Sequence, residues 1–466
     1  MEWYADGKSR RKEPKVSGSN MLKKICVLPL AAAMLVSLSG CLFISSTEDL
    51  YSMPKLPEQY VELDAQIKDL LASGCEYAAP TSGDNIQSIQ LIDLDGDGTA
   101  EAVACFRNNT DEKPLKIYIY QVDGTNYVQK AIIEGSGTAI DRIDYADLNG
   151  DGEKEIVVGW KMSTEKAMTV YAMRGGEATD VMEAAYTKYI LADLNGDGRD
   201  GLVTVRSDNN GGCTADLYRW NGDSEELTSS AKLSMSPSGL SSAVAGLTTG
   251  SLADGSPALF VSGAFDDIYN VTDVLRLKDG ALVNITMNER TGVSGAMYIN
   301  RSLLPVDING DGVTEVPSPK ALRAARGQES TYWEIRWLQY DGSGQGTTVE
   351  TTYHNITDGW YIKLPDAWTD NIMITRVETT SNQRAVTFAY IDGSGKAEEF
   401  MTISSVTGDS RESIASRGNR FILRTRTSAI YTAEFLPANS GWSGAISEDE
   451  LKDAFSLIQK AWKTGE

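Results

Sequence analysis

Residues 91–106 read LIDLDGDGTAEAVACF, with Asp93, Asp95 and Asp97 at every second position, a glycine after Asp97, and Glu101 at the edge of an apolar run. Carboxylates this close repel one another unless a cation sits among them. A tight alternating run of this kind turns its side chains inward and offers hard oxygen donors. Calcium takes six to eight such oxygens at about 2.3–2.6 Å. Side-chain oxygens of Asp93, Asp95, Asp97 and Glu101, with the Thr99 carbonyl between them, make a suitable set. Magnesium fits less well, because it prefers few carboxylates and keeps several waters. The alternative is an acidic turn that holds no metal.

The pattern recurs in YADLNGDGEKEIVVGWK (145–161), LADLNGDGRDGLVTVRS (191–207) and PVDINGDGVTEVPSPKA (305–321). A fainter copy, GSLADGSPALFVSG (250–263), keeps Asp254 and the apolar run without the acidic ladder. An EF-hand opens with the same letters but needs a glutamate at its twelfth position and a helix on each side. Here the twelfth positions are Ala104, Val158, Thr204 and Ser318, and β-branched, strand-like residues follow. The EF-hand is therefore excluded.

Stepping outward, a turn signal flanked by strand-like residues follows each acidic loop: IYIYQVDGTNYVQK, TVYAMRGGEATDVM, LYRWNGDSEEL, VLRLKDGALVNI and IRWLQYDGSGQGTTV. Asp-Gly, Gly-Gly and Asn-Gly at such places predict hairpins, since glycine reaches positive φ without steric cost. Each unit is thus an acidic loop, an apolar strand and a hairpin, in a chain of 466 residues rich in short Val, Ile, Thr and Tyr runs. Units of roughly 50 residues with three or four strands fit a β-propeller blade better than a solenoid coil. The expected fold is mainly β, a propeller with five visible units.

The motif D-x-[DN]-G-D-G-x-x-[DE] over about residues 80–350 resembles the FG-GAP/VCBS family, whose repeats build the propeller of integrin α-subunits and of many bacterial surface proteins. The resemblance implies three or four structural calcium ions. It gives the second loop Asp147, Asn149, Asp151, the Glu153 carbonyl and Glu155 as ligands. The last loop takes Asp307, Asn309, Asp311, the Val313 carbonyl and Glu315. The third loop has Asp193, Asn195, Asp197 and the Arg199 carbonyl, but Gly201 stands at the ninth position with Asp200 one place early. Weaker binding is expected there, and no ion at the unit around Asp254.

Residues 21–41, MLKKICVLPLAAAMLVSLSGC, begin with a basic Lys23-Lys24 pair, continue apolar, and end in small residues before Cys41. This is the layout of a secretory signal. Its ending, Leu38-Ser39-Gly40-Cys41, resembles the lipobox of bacterial lipoproteins, which implies that Cys41 is diacylated and becomes the new N-terminus. An uncleaved spanning helix over Ile25 to Ile44 is the alternative, about twenty apolar residues being enough to cross. Either reading places the bulk of the chain outside the cytoplasm, the first as an extracytoplasmic protein lipid-anchored to the bacterial membrane. Residues 1–20 look like no part of a signal, and Met21 is the expected start. An odd set of further cysteines, Cys75, Cys105 and Cys213, argues against a disulfide framework, with a Cys75–Cys105 pair left open.

The expected organisation is an extension (1–20), a signal (21–40), a tether with a helix over 57–74 (41–76), the propeller (77–354) and a separate α+β domain (355–466). A terminal helix is expected in ISEDELKDAFSLIQKAW, capped by Ser447 and Glu450, with Leu451, Phe455, Ile458 and Trp462 on one face. Trp360 and Trp368 are expected in the core.

The formal net charge of −22 disfavours nucleic acid as a partner. His354 is the only histidine, so a histidine-based triad would need that one residue and a multi-histidine metal site is excluded. No catalytic residue is selected. The expected function is a cell-surface binding or scaffold module whose protein or glycan ligand is unknown. The alternatives are an extracellular polysaccharide lyase or hydrolase on a calcium propeller, and a structural part of an envelope complex.

Overall fold

The computed structural model describes residue 57 and residues 60–458, except 164, 223, 243–244, 300–302 and 325–331. Residues 1–20, the signal at 21–40, Cys41 and Trp462 lie outside the described residues. The described residues from 62 onward form one compact unit.

The helix Val61–Ala72 turns Leu63 and Ile67 inward. Gly74, at φ +96°, ends it, and Gln66 fastens it to the carbonyl of Tyr127 at 2.8 Å. Six antiparallel sheets of four or five strands follow. The first consists of Ile89–Ile92, Glu101–Arg107, Leu115–Asp123 and Asn126–Gly135, with Glu76–Tyr77 added. The second runs Ala139–Ala146, Glu155–Lys161, Lys166–Arg174, Glu177–Tyr186, and the third Lys188–Ala192, Gly201–Ser207, Cys213–Asn221, Ser224–Leu233. In the fourth, Gly246–Ser251, Pro257–Ala264, Tyr269–Lys278 and Ala281–Asn284 are joined by Met297–Ile299.

One unit is visibly repeated. Its second strand is buried on both faces, as in Glu101–Arg107 and Glu155–Lys161, which is why these strands read as continuous apolar runs. A register shift falls at the same place before the hairpin in four sheets: Ile119/Tyr120, Val170/Tyr171, Leu217/Tyr218 and Trp337/Leu338. Each sheet packs on the next: Ile117 with Trp160, Val170 with Tyr189, Leu217 with Val261, and Phe260 with Val316 share cores across neighbouring sheets. Mainly antiparallel sheets stacked face on face in chain order are consistent with propeller blades.

The far end departs from the sequence expectation. The fifth sheet, Val316–Ala321, Trp333–Tyr340 and Gly346–Asn355, continues through Trp360–Lys363 to Phe455–Leu457. The expected boundary at 354/355 therefore falls inside a sheet. The sixth sheet, Ile372–Thr379, Gln383–Ile391, Ala397–Thr407, Ala429–Phe435 and Phe421–Thr425, shares one core with it. Trp360, Trp368, Phe388, Phe400 and Phe455 are all fully buried there. The terminal helix is also shorter than expected. It spans Glu448–Ala454 with the capping box of Ser447 and Glu450 in place, and then the chain turns to strand. Phe455 stacks on Trp360 at 5.7 Å while its backbone pairs with Ile362, and that pairing overrides the helical pattern of the sequence.

Cys75, Cys105 and Cys213 are free and buried. Burial pushes the Cys105 thiol up to about 12, which leaves it unreactive. His354 lies between Tyr361 and Trp337 (4.9 and 5.9 Å between ring centroids), and burial pushes it down to about 3. Asp392-Gly393-Ser394-Gly395 is a hairpin turn in which Asp392 accepts from the N–H of Ser394 and of Lys396. Among the described residues no helix is long and apolar enough to cross a membrane.

Candidate metal centres

Three of the acidic loops join the first strand of a sheet to its second, and the last is closed by a bridge just before the strand Val316–Ala321. The register pairs Ile92 with Glu101, Ala146 with Glu155, Ala192 with Gly201 and Val306 with Glu315. The ninth residue of each motif is thus the first rung of a strand, held under the loop.

The loops fold by the same local rule. The first aspartate accepts from two glycine N–H groups: Asp93 from Gly96 and Gly98 (2.8 and 3.2 Å), Asp147 from Gly150 and Gly152 (2.6 and 3.0 Å). Asp193 and Asp307 do the same with Gly196, Gly198, Gly310 and Gly312. All eight glycines have positive φ, which side chains with a Cβ rarely adopt. The aspartate at the fifth position then accepts from the residue two further on: Asp97 from Thr99, Asp151 from Glu153, Asp197 from Arg199, Asp311 from Val313. Neighbouring loops also touch. The Lys154 N–H donates to the Leu94 carbonyl at 2.7 Å, and Gly96 lies so close to the Gly152 carbonyl that a Cβ would stand 2.7 Å from that oxygen.

Two loops gather three carboxylates each with oxygens within 4.8 Å of one another: Asp93, Asp95 and Glu101, and Asp307, Asp311 and Glu315. These two clusters can hold a metal ion. The glutamates are the telling members. Glu101, Glu155 and Glu315 are 3%, 2% and 0% exposed, and each accepts from the backbone N–H of the second loop residue (Leu94, Leu148, Ile308) at 2.8–2.9 Å. Among the described residues no lysine or arginine pairs with any of them. Burial and the neighbouring aspartates push Glu155 up to about 7 and raise Glu101 and Glu315. A buried carboxylate beside other carboxylates, with no cationic partner, is costly unless a cation arrives.

The loops are not equivalent. In the second, the Asn149 amide nitrogen stands between Asp151 and Glu155, 2.9 Å from each, where its N–H groups take the place of a cation's charge. In the third, no carboxylate occupies the ninth position. Asp200 is exposed, and the Arg199 guanidinium lies 3.6 Å from Asp197. At the fourth unit Arg276 pairs with Asp254 at 3.2 Å.

Sequence reasoning missed two residues. Gln121 donates to Asp95 at 2.7 Å, and Gln339 donates to Asp311 and Glu315, each at 2.7 Å. Gln121 sits on Leu115–Asp123 and Gln339 on Trp333–Tyr340, each on the strand just before its unit's hairpin, in the two units whose carboxylates cluster. Their signal was present as Gln-x-Asp-Gly in IYIYQVDG and IRWLQYDG, where the other hairpins have Ala, Arg or Leu three places before the glycine.

Several solved structures are similar to this chain at low level. The exotype rhamnogalacturonan lyase YesX is 12% identical with a TM-score of 0.29, over 69% of this chain and 66% of the lyase, so the chain spans just under two thirds of that protein. The rhamnogalacturonan lyase YesW is 10% identical with a TM-score of 0.27, covering 76% and 90%. The Dos1 propeller is 10% identical with a TM-score of 0.27, covering 62% and 74%. Likeness at this level assigns neither activity nor ligand. No curated protein matches the chain. Residues 93–158, from the first acidic loop to the middle of the second sheet, match the family model of the FG-GAP-like repeat.

Proposed function

We propose that this chain is an extracytoplasmic, lipid-anchored β-propeller, stiffened by calcium in its acidic loops, that serves as a binding or scaffold module. The observation that carries the reading is the set of buried, cation-free glutamates beneath loops of two or more further acids. All-oxygen donors, mostly carboxylate, suit calcium better than magnesium or zinc. The loops then act as structural clips, because an ion bound only by the folded loop contributes its binding energy to folding. Mass spectrometry of the folded chain under non-denaturing conditions should count three or four calcium ions; none at millimolar calcium would end the metal reading.

The lipid anchor rests on the sequence of residues 21–41. A bacterium expressing the chain and fed an alkyne fatty acid should label it, and Cys41→Ala should remove the label. Labelling that survives the substitution would exclude Cys41 as the anchor. Release of fragments from a glycan by the purified chain would replace the binding reading by an enzymatic one.

The Glu315→Gln variant gives a sharper test of the loops. With calcium present it should lose one ion and roughly 1 kcal/mol of stability. In EGTA it should melt at or above the parent, since an uncharged amide relieves the burial and the repulsion from Asp311 and Asp307 that raise the Glu315 pKa. A loss of the same size in both buffers would mean that Glu315 is only a structural hydrogen-bond acceptor.

A further inference from the structure

Gln121 and Gln339 reach the acidic loops from outside them. In its sheet Gln121 stands opposite Val128, and Gln339 stands opposite Thr347. Each is half-buried, and strand pairing delivers it to an acid 26 or 24 residues away in the chain. Beside the first loop a cavity of about 170 Å³ is lined by Asp95, Glu101 and Gln121 together, with Glu153 of the next loop. Lys130 also borders it, but is exposed and forms no ion pair with these acids. At the last loop the Gln339 amide stands among the carboxylates, 2.7 Å from both Asp311 and Glu315.

The loops by themselves leave the coordination shell short. The first offers side-chain oxygens of Asp93, Asp95, Asp97 and Glu101 with the Thr99 carbonyl, five donors in all. The last offers five in the same way, from Asp307, Asn309, Asp311, Glu315 and the Val313 carbonyl. Calcium takes six to eight oxygens, so each set lacks at least one. A glutamine amide has a donor end and an acceptor end of nearly the same shape, and turning over about its last bond exchanges them in place. The corresponding positions of the other units hold Ala172, Arg219 and Leu277, whose side chains offer no oxygen. The two glutamines thus occur where the carboxylates cluster, and the units without them show no such cluster among the described residues.

We infer that Gln121 and Gln339 are calcium ligands through their side-chain oxygens, and that the first and last loops are in consequence the two tight sites of the chain. Without an ion, the amide N–H groups satisfy the acids, as Gln339 does for Asp311 and Glu315. With an ion, the amide turns its oxygen to the same place. The second loop completes its shell with water instead, and the third, which has Gly201 in the ninth position, needs more water still. The two tight sites belong to the first and fifth sheets, the ends of the run of repeats, so calcium secures the ends before the middle. The inference rests on the calcium reading, and adds which loops fill first and which residue outside each loop makes the difference.

The test uses the full chain, freed of metal with EGTA and titrated with calcium and with terbium, which takes the same oxygen sites. Calorimetry gives the affinities, and terbium luminescence decay in water against heavy water counts the waters left on the bound ions. The parent should fill two sites before the others, with hydrogen exchange slowing in 93–107 and 307–321 ahead of 147–161. Gln339→Leu should weaken one tight site about tenfold or more and add one water to its ion, and Gln121→Leu should do the same at the other. Gln339→Glu separates the two ends of the amide, because it keeps an oxygen and loses the N–H groups. It should hold the ion at least as tightly as the parent, with no added water. Gln121→Glu gives the same reading for the first loop if a leucine variant fails to fold. Weaker binding in the glutamate variants, or an unchanged water count in folded leucine variants, would make the glutamines hydrogen-bond donors to the acids and overturn the proposal. Ions bound in that case leave the calcium reading standing, whereas a parent that binds no ion ends both.

Discussion

Chelation of calcium should lower the melting temperature of the chain by roughly 2–8 °C. Sites in extracellular modules bind with dissociation constants on the order of 0.1–1 mM. At a few millimolar calcium each ion then stabilises the folded form by about 0.5–2 kcal/mol, and three or four ions by about 2–7 kcal/mol. A unit of this size unfolds with an entropy of ~2 cal/mol/K per residue, so one kcal/mol moves the midpoint by only about 1 °C. The shift should therefore be modest in temperature although large in free energy. Magnesium at the same concentration should restore little of it, because the clustered carboxylates favour the less hydrated ion. Scanning calorimetry in EGTA, calcium and magnesium decides the matter. Equal midpoints in all three would leave the loops as hydrogen-bonded turns, with the buried glutamates held by backbone N–H groups alone.

Trp360→Ala should cost about 3–5 kcal/mol, more than any single loop substitution. Trp360 is fully buried, with Tyr353 at 5.8 Å and Phe455 at 5.7 Å between ring centroids. Its strand is paired on both sides, with Gly346–Asn355 and with Phe455–Leu457. The void would open in the core shared by the fifth and sixth sheets, so both should loosen together. Hydrogen exchange should rise in 372–407 and in 334–355 to a similar degree. Faster exchange confined to residues after 355 would show that the C-terminal region unfolds by itself and that the shared sheet is no energetic link.

How much of this was legible beforehand follows the range of each interaction. The acidic loops could be read because everything that shapes them is local: Asp93 closes on glycines three and five residues later, and those glycines must reach positive φ. The hairpins were legible for the same reason, and so was the cap of the last helix, where Ser447 and Glu450 satisfy each other's backbone within one turn. The exclusion of multi-histidine chemistry needed only a count.

Long-range pairing decided the rest. Gln339 reaches Glu315 only because the two strands pair in a particular register across 24 residues. The Gln-x-Asp-Gly pattern marks the glutamine locally, but not the acid it reaches. The segment DELKDAFSLIQKAW has helical spacing, yet it leaves the helix at Ala454, because an open strand edge at Trp360–Lys363 and an aromatic core outweigh a few tenths of a kcal/mol of propensity per residue. By itself, the sequence determined the acidic, glycine-closed form of each loop and its hairpin, since both are shaped within a dozen residues. Which sheets share a core, and which glutamine reaches which acid, were settled by contacts that only the tertiary structure makes.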